Sequence, residues 1–172
     1  VTATSGSISA GASGNIVIEG GSLVNADTSV TGTASGNILI QSASSVTAGT
    51  DVALTADADL TVDHASLDSM GAVYLAADGG DLTLTAATVT AATSVTGTAS
   101  NDILIQSAST VTAGMNIGLT AGVNLTVDSS TLNSTGAVSL AANGGDLTLT
   151  AATVEAGTSV TDTASGNIVI ES

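Results

Sequence analysis

Fifteen carboxylates and a single histidine, with no lysine or arginine, make up the charged chemistry of this 172-residue chain. Acids in such number suggest divalent-cation binding or a pair of carboxylates sharing a hydrolytic step. Calcium binding by Asp-rich repeats needs the nonapeptide GGxGxDxUx, in which backbone and Asp oxygens converge in every turn. No stretch matches it. Asp78-Gly79-Gly80-Asp81 comes nearest, and its counterpart further along the chain reads Asn143-Gly144-Gly145-Asp146. At the same offset Asp51, Asp59, Asp68 and Asp78 become Asn116, Asn124, Asn133 and Asn143. Such exchanges keep shape and polarity but discard charge, which a carboxylate ligand array tolerates poorly. The acids therefore read as turn-forming and solvating residues. Asp59, Asp78, Asp81 and Asp102 are left as candidates for scattered, weak Ca²⁺ binding, and no other cofactor is expected.

Catalysis has little to draw on. His64 is the one base suited to neutral pH, and its counterpart at that offset is Ser129; Tyr74 likewise becomes Ser139. A glycosidase built on paired carboxylates needs a cleft with long loops and aromatic side chains to hold sugar. The chain has one Tyr and no Phe or Trp. It is not expected to be an enzyme. A formal charge of −15 without a single Lys or Arg excludes nucleic-acid binding, which depends on neutralising phosphates. It also excludes electrostatic attachment to anionic membranes. Apolar runs stop at four or five residues, too short to span a bilayer. Trypsin-like proteases find no site, which suits an exposed extracellular material.

The elements that carry these residues repeat. Registers of about 22 residues recur along the chain, and fixed-period self-similarity of this length marks a stacked architecture. A longer repeat lies above the short one: residues 28–92 match residues 93–157 at 46 of 65 positions. Disorder is the competing reading for an acidic Ser/Thr/Gly-rich chain. Against it stand a hydrophobic content of 43% and the regular placement of those residues. Each short repeat holds three runs with period-two alternation, in residues 36–57 at Asn37–Gln41, Ser45–Ala48 and Asp51–Ala56, separated by Gly, Ser, Asp and Asn.

Aligned by repeat, one inward column of the first run reads Ile18, Ile40, Val62, Leu84, Ile105, Val127, Leu149 and Ile170. The second run contributes Val1, Val24, Val46, Leu67, Val89, Val111, Leu132 and Val154, and the third contributes Ile8, Val30, Val52, Val73, Val95, Ile117, Val138 and Val160. Three short β-branched strands per turn, stacked on equivalent strands above and below, define a parallel β-helix (β-solenoid) of about 22 residues per coil and about eight coil equivalents. Asn15, Asn37, Asp59, Asp81, Asp102, Asn124, Asp146 and Asn167 occupy one corner, where stacked side chains are expected to hydrogen-bond along the axis.

One column contains a misfit. Asp162 falls in the inward slot that elsewhere holds Gly32, Leu54, Leu75, Gly97, Leu119 and Leu140. A buried unpaired carboxylate is costly, so a local register shift is expected there, with a hydrogen-bonded corner or a true site as the alternatives. Outward Val17, Leu39, Leu104 and Val169 stand where other coils carry Thr, either as lateral contacts between fibres or as isolated surface aliphatics. Thr83/Thr85 and Thr148/Thr150 on the first run, and Thr31/Thr33, Thr96/Thr98 and Thr161/Thr163 on the third, raise an ice-binding alternative, but the arrays are interrupted. The sequons Asn124-Leu125-Thr126 and Asn133-Ser134-Thr135 are no more than a Ser/Thr-rich chain produces by chance.

The runs GDLTLTAATVTA (80–91), GDLTLTAATVEAG (145–157) and GNILIQSASSVTAGTDVALTA (36–56) resemble the haemagglutinin repeats of filamentous haemagglutinin-type adhesins. The resemblance implies a right-handed parallel β-helix, an extracellular or cell-surface setting in a bacterium or archaeon, and service as an adhesin or a stalk. The organisation expected is one solenoid over 1–172. Residues 1–13 form a partial coil, 14–165 seven full coils and 166–172 a second partial coil, with uncapped ends. No signal sequence or initiator Met is present, so a mature product or a segment of something longer is expected. Joined tail to head, 166–172 and 1–13 make one further repeat. A structural filament unit is therefore expected, its partner being itself. Val1, Ile8, Ile16 and Ile18 of one copy would meet Ile168, Val169 and Ile170 of the next, with lateral bundling as a further option. The alternative is a shaft fragment of a giant monomeric adhesin.

Overall fold

A computed structural model describes residues 1–172. It contains 24 strands of two to five residues and no helix. They form three eight-stranded sheets, each collecting every third strand of the chain. The first runs stack from Ile16–Ile18 to Ile168–Glu171, the second runs from Thr2–Ala3 to Thr153–Ala156, and the third runs from Ile8–Ala12 to Val160–Ala164. These are called the first, second and third sheets. All pairings are parallel, so the molecule is a β-solenoid of about eight turns, the fold class read from the repeats.

Register follows the expected columns. In the first sheet Ile18 pairs with Ile40, Ile40 with Val62, Val62 with Leu84, and the series runs on to Leu149 with Ile170. A slip of one residue would turn each aliphatic outward and each Thr inward, which is why so short a strand holds its register. The interior is a single cluster of 39 buried Ala, Val, Leu and Ile residues. No aromatic side chain enters it: Tyr74, the only one, points outward from the third sheet. The bore of the coil is narrow enough for small aliphatics from three sides to fill it.

Corners account for the unequal repeat lengths. Between first and second strands the chain turns through left-handed residues, Ser42 and Ala43 (φ 59° and 60°) in one coil and His64 alone (φ 49°) in the next. The single-residue corner is the shorter of the two. Where the chain passes from third to first strand, Asp78-Gly79-Gly80-Asp81 is the longer version of that corner. A Cβ on Gly79 would stand 2.3 Å from the Asp57 carbonyl oxygen of the coil beneath, so only glycine fits. This Asp-Gly-Gly-Asp segment is thus accounted for by backbone geometry.

Candidate functional site: the corner ladder and the end faces

The eight Asn/Asp residues that precede the first strands make a continuous ladder. Every Oδ1 except that of Asn167 accepts a hydrogen bond from the backbone N–H of its counterpart one coil on. Asn15 Oδ1 receives Asn37 N–H at 2.9 Å, Asn37 receives Asp59 at 3.1 Å, Asp59 receives Asp81 at 3.0 Å and Asp81 receives Asp102 at 3.1 Å. Asp102 then receives Asn124 at 2.9 Å, Asn124 receives Asp146 at 3.0 Å and Asp146 receives Asn167 at 2.7 Å. The ladder therefore differs from the expected side-chain stack. Its repeating bond joins side chain to backbone, and amide-to-carboxylate contacts are added only at Asn124 and Asn167, whose Nδ2 groups donate to Asp102 and Asp146. Asn and Asp interchange freely because both offer Oδ1. Glycine often precedes the ladder residue for a related reason: a Cβ on Gly166 would stand 2.2 Å from Asp146 Oδ1.

Asp59, Asp81 and Asp102 sit one coil apart on this ladder, their Oδ1 atoms already turned to backbone donors, and Asp78 lies on the exposed longer corner. No three His, Cys, Asp or Glu side chains are grouped so as to hold a metal ion. His64 lies exposed on a corner with Nδ1 2.6 Å from Asp63 Oδ1. Tyr74 stands outward on the third sheet, paired with Ala53 and Thr96. On that sheet Thr31/Thr33 is followed by Ala53/Thr55 and Tyr74/Ala76 before Thr96/Thr98, so the Thr pairs are not contiguous.

Sequence reasoning missed a second set of polar positions. Ser44, Ser109 and Ser130 are buried at the corner entering the second strands, and Ser69 and Ser134 at the corner leaving them. Ser109 Oγ donates to the Gln106 carbonyl at 2.6 Å and accepts the Ala87 N–H at 3.1 Å. Their Ala counterparts, Ala65 and Ala87, are buried too. Serine exchanged for alanine at equivalent corner positions was the signal that could have found them.

At the two ends the apolar columns surface. Ile168 is 47% exposed, Ile170 70% and Val160 46%, whereas Ile105 and Leu125 in the middle are fully enclosed. At the opposite end Val1, Ile8, Ile16 and Ile18 line the mouth of an apolar cavity of about 190 Å³ that reaches Gly32, Val46 and Leu54. Val169, at the C-terminal face, is an outward residue: it pairs with Thr148, while Ile168 and Ile170 pair with the inward Leu147 and Leu149. Val17 is likewise outward, half-exposed and paired with Leu39.

The register shift expected at Asp162 does not occur. Leu140 pairs with Asp162 in step with Val138 and Val160 and with Ala142 and Ala164. Shifting would expose Val160 and Ala164 as well, at greater cost than one carboxyl. The hydrogen-bonded alternative is absent too, because Asp162 Oδ1 is buried without a partner. Desolvation pushes this carboxyl above its ordinary range.

A model of the hemagglutinin repeat matches residues 41–172. The chain belongs to the hemagglutinin-repeat family. Family membership and the stacked sheets together make it an adhesin-like β-helical repeat. No curated protein and no solved structure matches the chain. The matched stretch takes in the ladder from Asp59 to Asn167 and most of the enclosed aliphatic columns.

Proposed function

We propose that this hemagglutinin-repeat chain is a structural unit of an extracellular β-solenoid filament, stacking head to tail. The observation that carries the reading is the emergence of the same apolar columns at both ends: Ile168 and Ile170 at one, Ile16 and Ile18 at the other, in one sheet and one alternation. Extending the register by one coil places Ile168 on Ile16 and Ile170 on Ile18, and Asn167 Oδ1 meets the N–H of Asn15. Edge strands that carry unpaired N–H and C=O groups template further strands, and backbone augmentation of this kind needs no dedicated side chains. A contact that does not close on itself yields an open filament.

The test is electron microscopy and sedimentation of the purified 172-residue chain beside Ile168→Asp and Ile170→Asp. The wild-type chain forms long thin fibres that dissociate on denaturation into chains of 16.2 kDa. The two variants stay monomeric with unchanged β content. Native fibres that denature only to much larger chains would make these coils one stretch of a giant covalent shaft. A wild-type chain that remains monomeric at every concentration contradicts the reading.

A further inference from the structure

Of the asparagines in the chain only Asn143 is followed by glycine, and the long repeat puts Asp78-Gly79 at the same corner of the first copy. Asn143 and Gly144 follow the strand Val138–Ala142 and are both exposed. The Asn143 N–H donates to the Ala121 carbonyl of the coil beneath at 2.9 Å, and the Gly166 N–H of the coil above donates to the Gly145 carbonyl at 2.8 Å. Between these fixed points the Gly144 N–H donates to no group in the chain. The Asn143 carbonyl, which shares a peptide bond with that nitrogen, accepts the Ser165 hydroxyl. Asp78 and Gly79 are exposed in the same way in the middle of the molecule, and the Asp78 carbonyl accepts the Ser100 hydroxyl. The arrangement therefore belongs to the corner and does not depend on where the chain ends.

We propose that Asn143-Gly144 is a site of spontaneous covalent modification, at which the corner converts its own asparagine to aspartate and isoaspartate. The Gly144 nitrogen, its proton taken by hydroxide, attacks Asn143 Cγ. The N–Cγ bond forms, the Cγ–Nδ2 bond breaks, and ammonia leaves with a proton from water. Water then opens the cyclic imide. Attack at Cγ gives aspartate, and attack at the main-chain carbonyl carbon gives isoaspartate, with the backbone rerouted through the side-chain carboxyl. Each conversion consumes a water and releases an ammonia, with no change of oxidation state. The corner favours the first step in three ways. Glycine presents no side chain to crowd the ring. Its N–H gives up no hydrogen bond within the chain. When that N–H ionises, charge spreads onto the Asn143 carbonyl oxygen, where the Ser165 hydroxyl stabilises it.

Asparagines elsewhere are held out of this reaction. Asn15, Asn37, Asn116 and Asn124 each have Oδ1 tied to a backbone N–H one coil on. Each is followed by Ile or Leu, whose own N–H is spent in a bond to the next coil. The product at 143 fits the fold, because Asp78 already places a carboxylate at that corner. Isoaspartate adds a methylene to the main chain where the corner already takes its longer path. Asp78-Gly79 can close the same imide by expelling water, but an ionised carboxylate resists attack, so isoaspartate at 78 trails that at 143.

Incubation of the folded full chain at mildly alkaline pH, followed by isoelectric focusing and fragment-ion mass spectrometry, tests the site. Ammonia is released, a more acidic species accumulates, and position 143 becomes a mixture of aspartate and isoaspartate, faster as pH rises. Asn143→Gln, which would need a larger ring, keeps its amide and its β content. Ser165→Ala slows conversion about tenfold, the effect of one hydrogen bond to a developing charge. Ser100→Ala, the same change at the Asp78 corner, leaves the rate at Asn143 as in the wild type. An Asn143 amide that survives in the folded chain while the urea-unfolded chain loses it overturns the proposal, since the coils would then hold the corner away from attack. Conversion spread over the ladder asparagines of the folded chain overturns it as well. An unchanged rate in Ser165→Ala, or equal slowing in Ser100→Ala, overturns the part given to Ser165.

Discussion

Gly97 and Asp162 hold the same slot in the same sheet, one long repeat apart, and do opposite things. At Gly97 the missing side chain is filled by Leu119 from the next coil and Leu82 from the neighbouring sheet, both within 2.9 Å of the absent Cβ, and the core closes. At Asp162 a carboxyl stands in the core with one oxygen unpartnered. The middle of the molecule is sealed by the succeeding coil, whereas the carboxyl of Asp162 is desolvated without a partner for its buried oxygen.

The largest effect expected from disturbing this contrast comes from moving the end's residue into the middle. Gly97→Asp forces a carboxylate between Leu119 and Leu82 and should cost about 4 kcal/mol or more, read as the loss of urea resistance. Truncating the columns separates the regions next: Ile105→Ala, fully enclosed, should cost about 3 kcal/mol, whereas Ile170→Ala, 70% exposed, should cost less than about 1 kcal/mol in the monomer. Equal costs would mean the ends are not open in solution.

The ladder gives a smaller difference. Asp102→Ala removes the acceptor of both the Asn124 N–H and its Nδ2, and should cost about 1–2 kcal/mol by thermal unfolding. Asp102→Asn keeps Oδ1 and should stay within about 0.5 kcal/mol. Smallest among the removals is Asp162→Gly, which should stabilise the monomer at neutral pH by about 1 kcal/mol, the low end for an unpaired polar group because solvent still reaches it. A carboxyl raised in the folded state binds more protons folded than unfolded. Its penalty is therefore absent below the ordinary aspartate value near 3.8, grows as pH rises from there, and is complete above the raised one. The advantage of Asp162→Gly should vanish in acid, and a gain that persists there would contradict the desolvated carboxyl.

Much of this was legible in the residues alone, because a coil of nearly constant length with period-two runs admits one register. The columns ending at Ile170, Val154 and Val160 could be read by alignment, since identical neighbours stack on identical neighbours. The corners were less legible. Left-handed Ser42, Ala43 and His64 carry no signature in residue type, as each tolerates that backbone only because the coils above and below hold it. The ladder's true acceptor–donor pairs needed coordinates, since Asn stacked on Asp is compatible with bonds between side chains or to the backbone. Asp162 stood out in the sequence, but its outcome depended on a balance between one carboxyl and the neighbouring columns. A single-residue rule does not weigh that balance.

Whether the coils run on through the junction between two copies is decided by electron cryo-microscopy of filaments formed by the full chain. The expected image is an unbranched rod whose strand repeat of about 4.8 Å continues without interruption through each junction, with Asp162 of one copy seated on Ala10 of the next. Monomers alone, or junctions at which the strand repeat breaks and the apolar end faces stay uncovered, would contradict head-to-tail stacking.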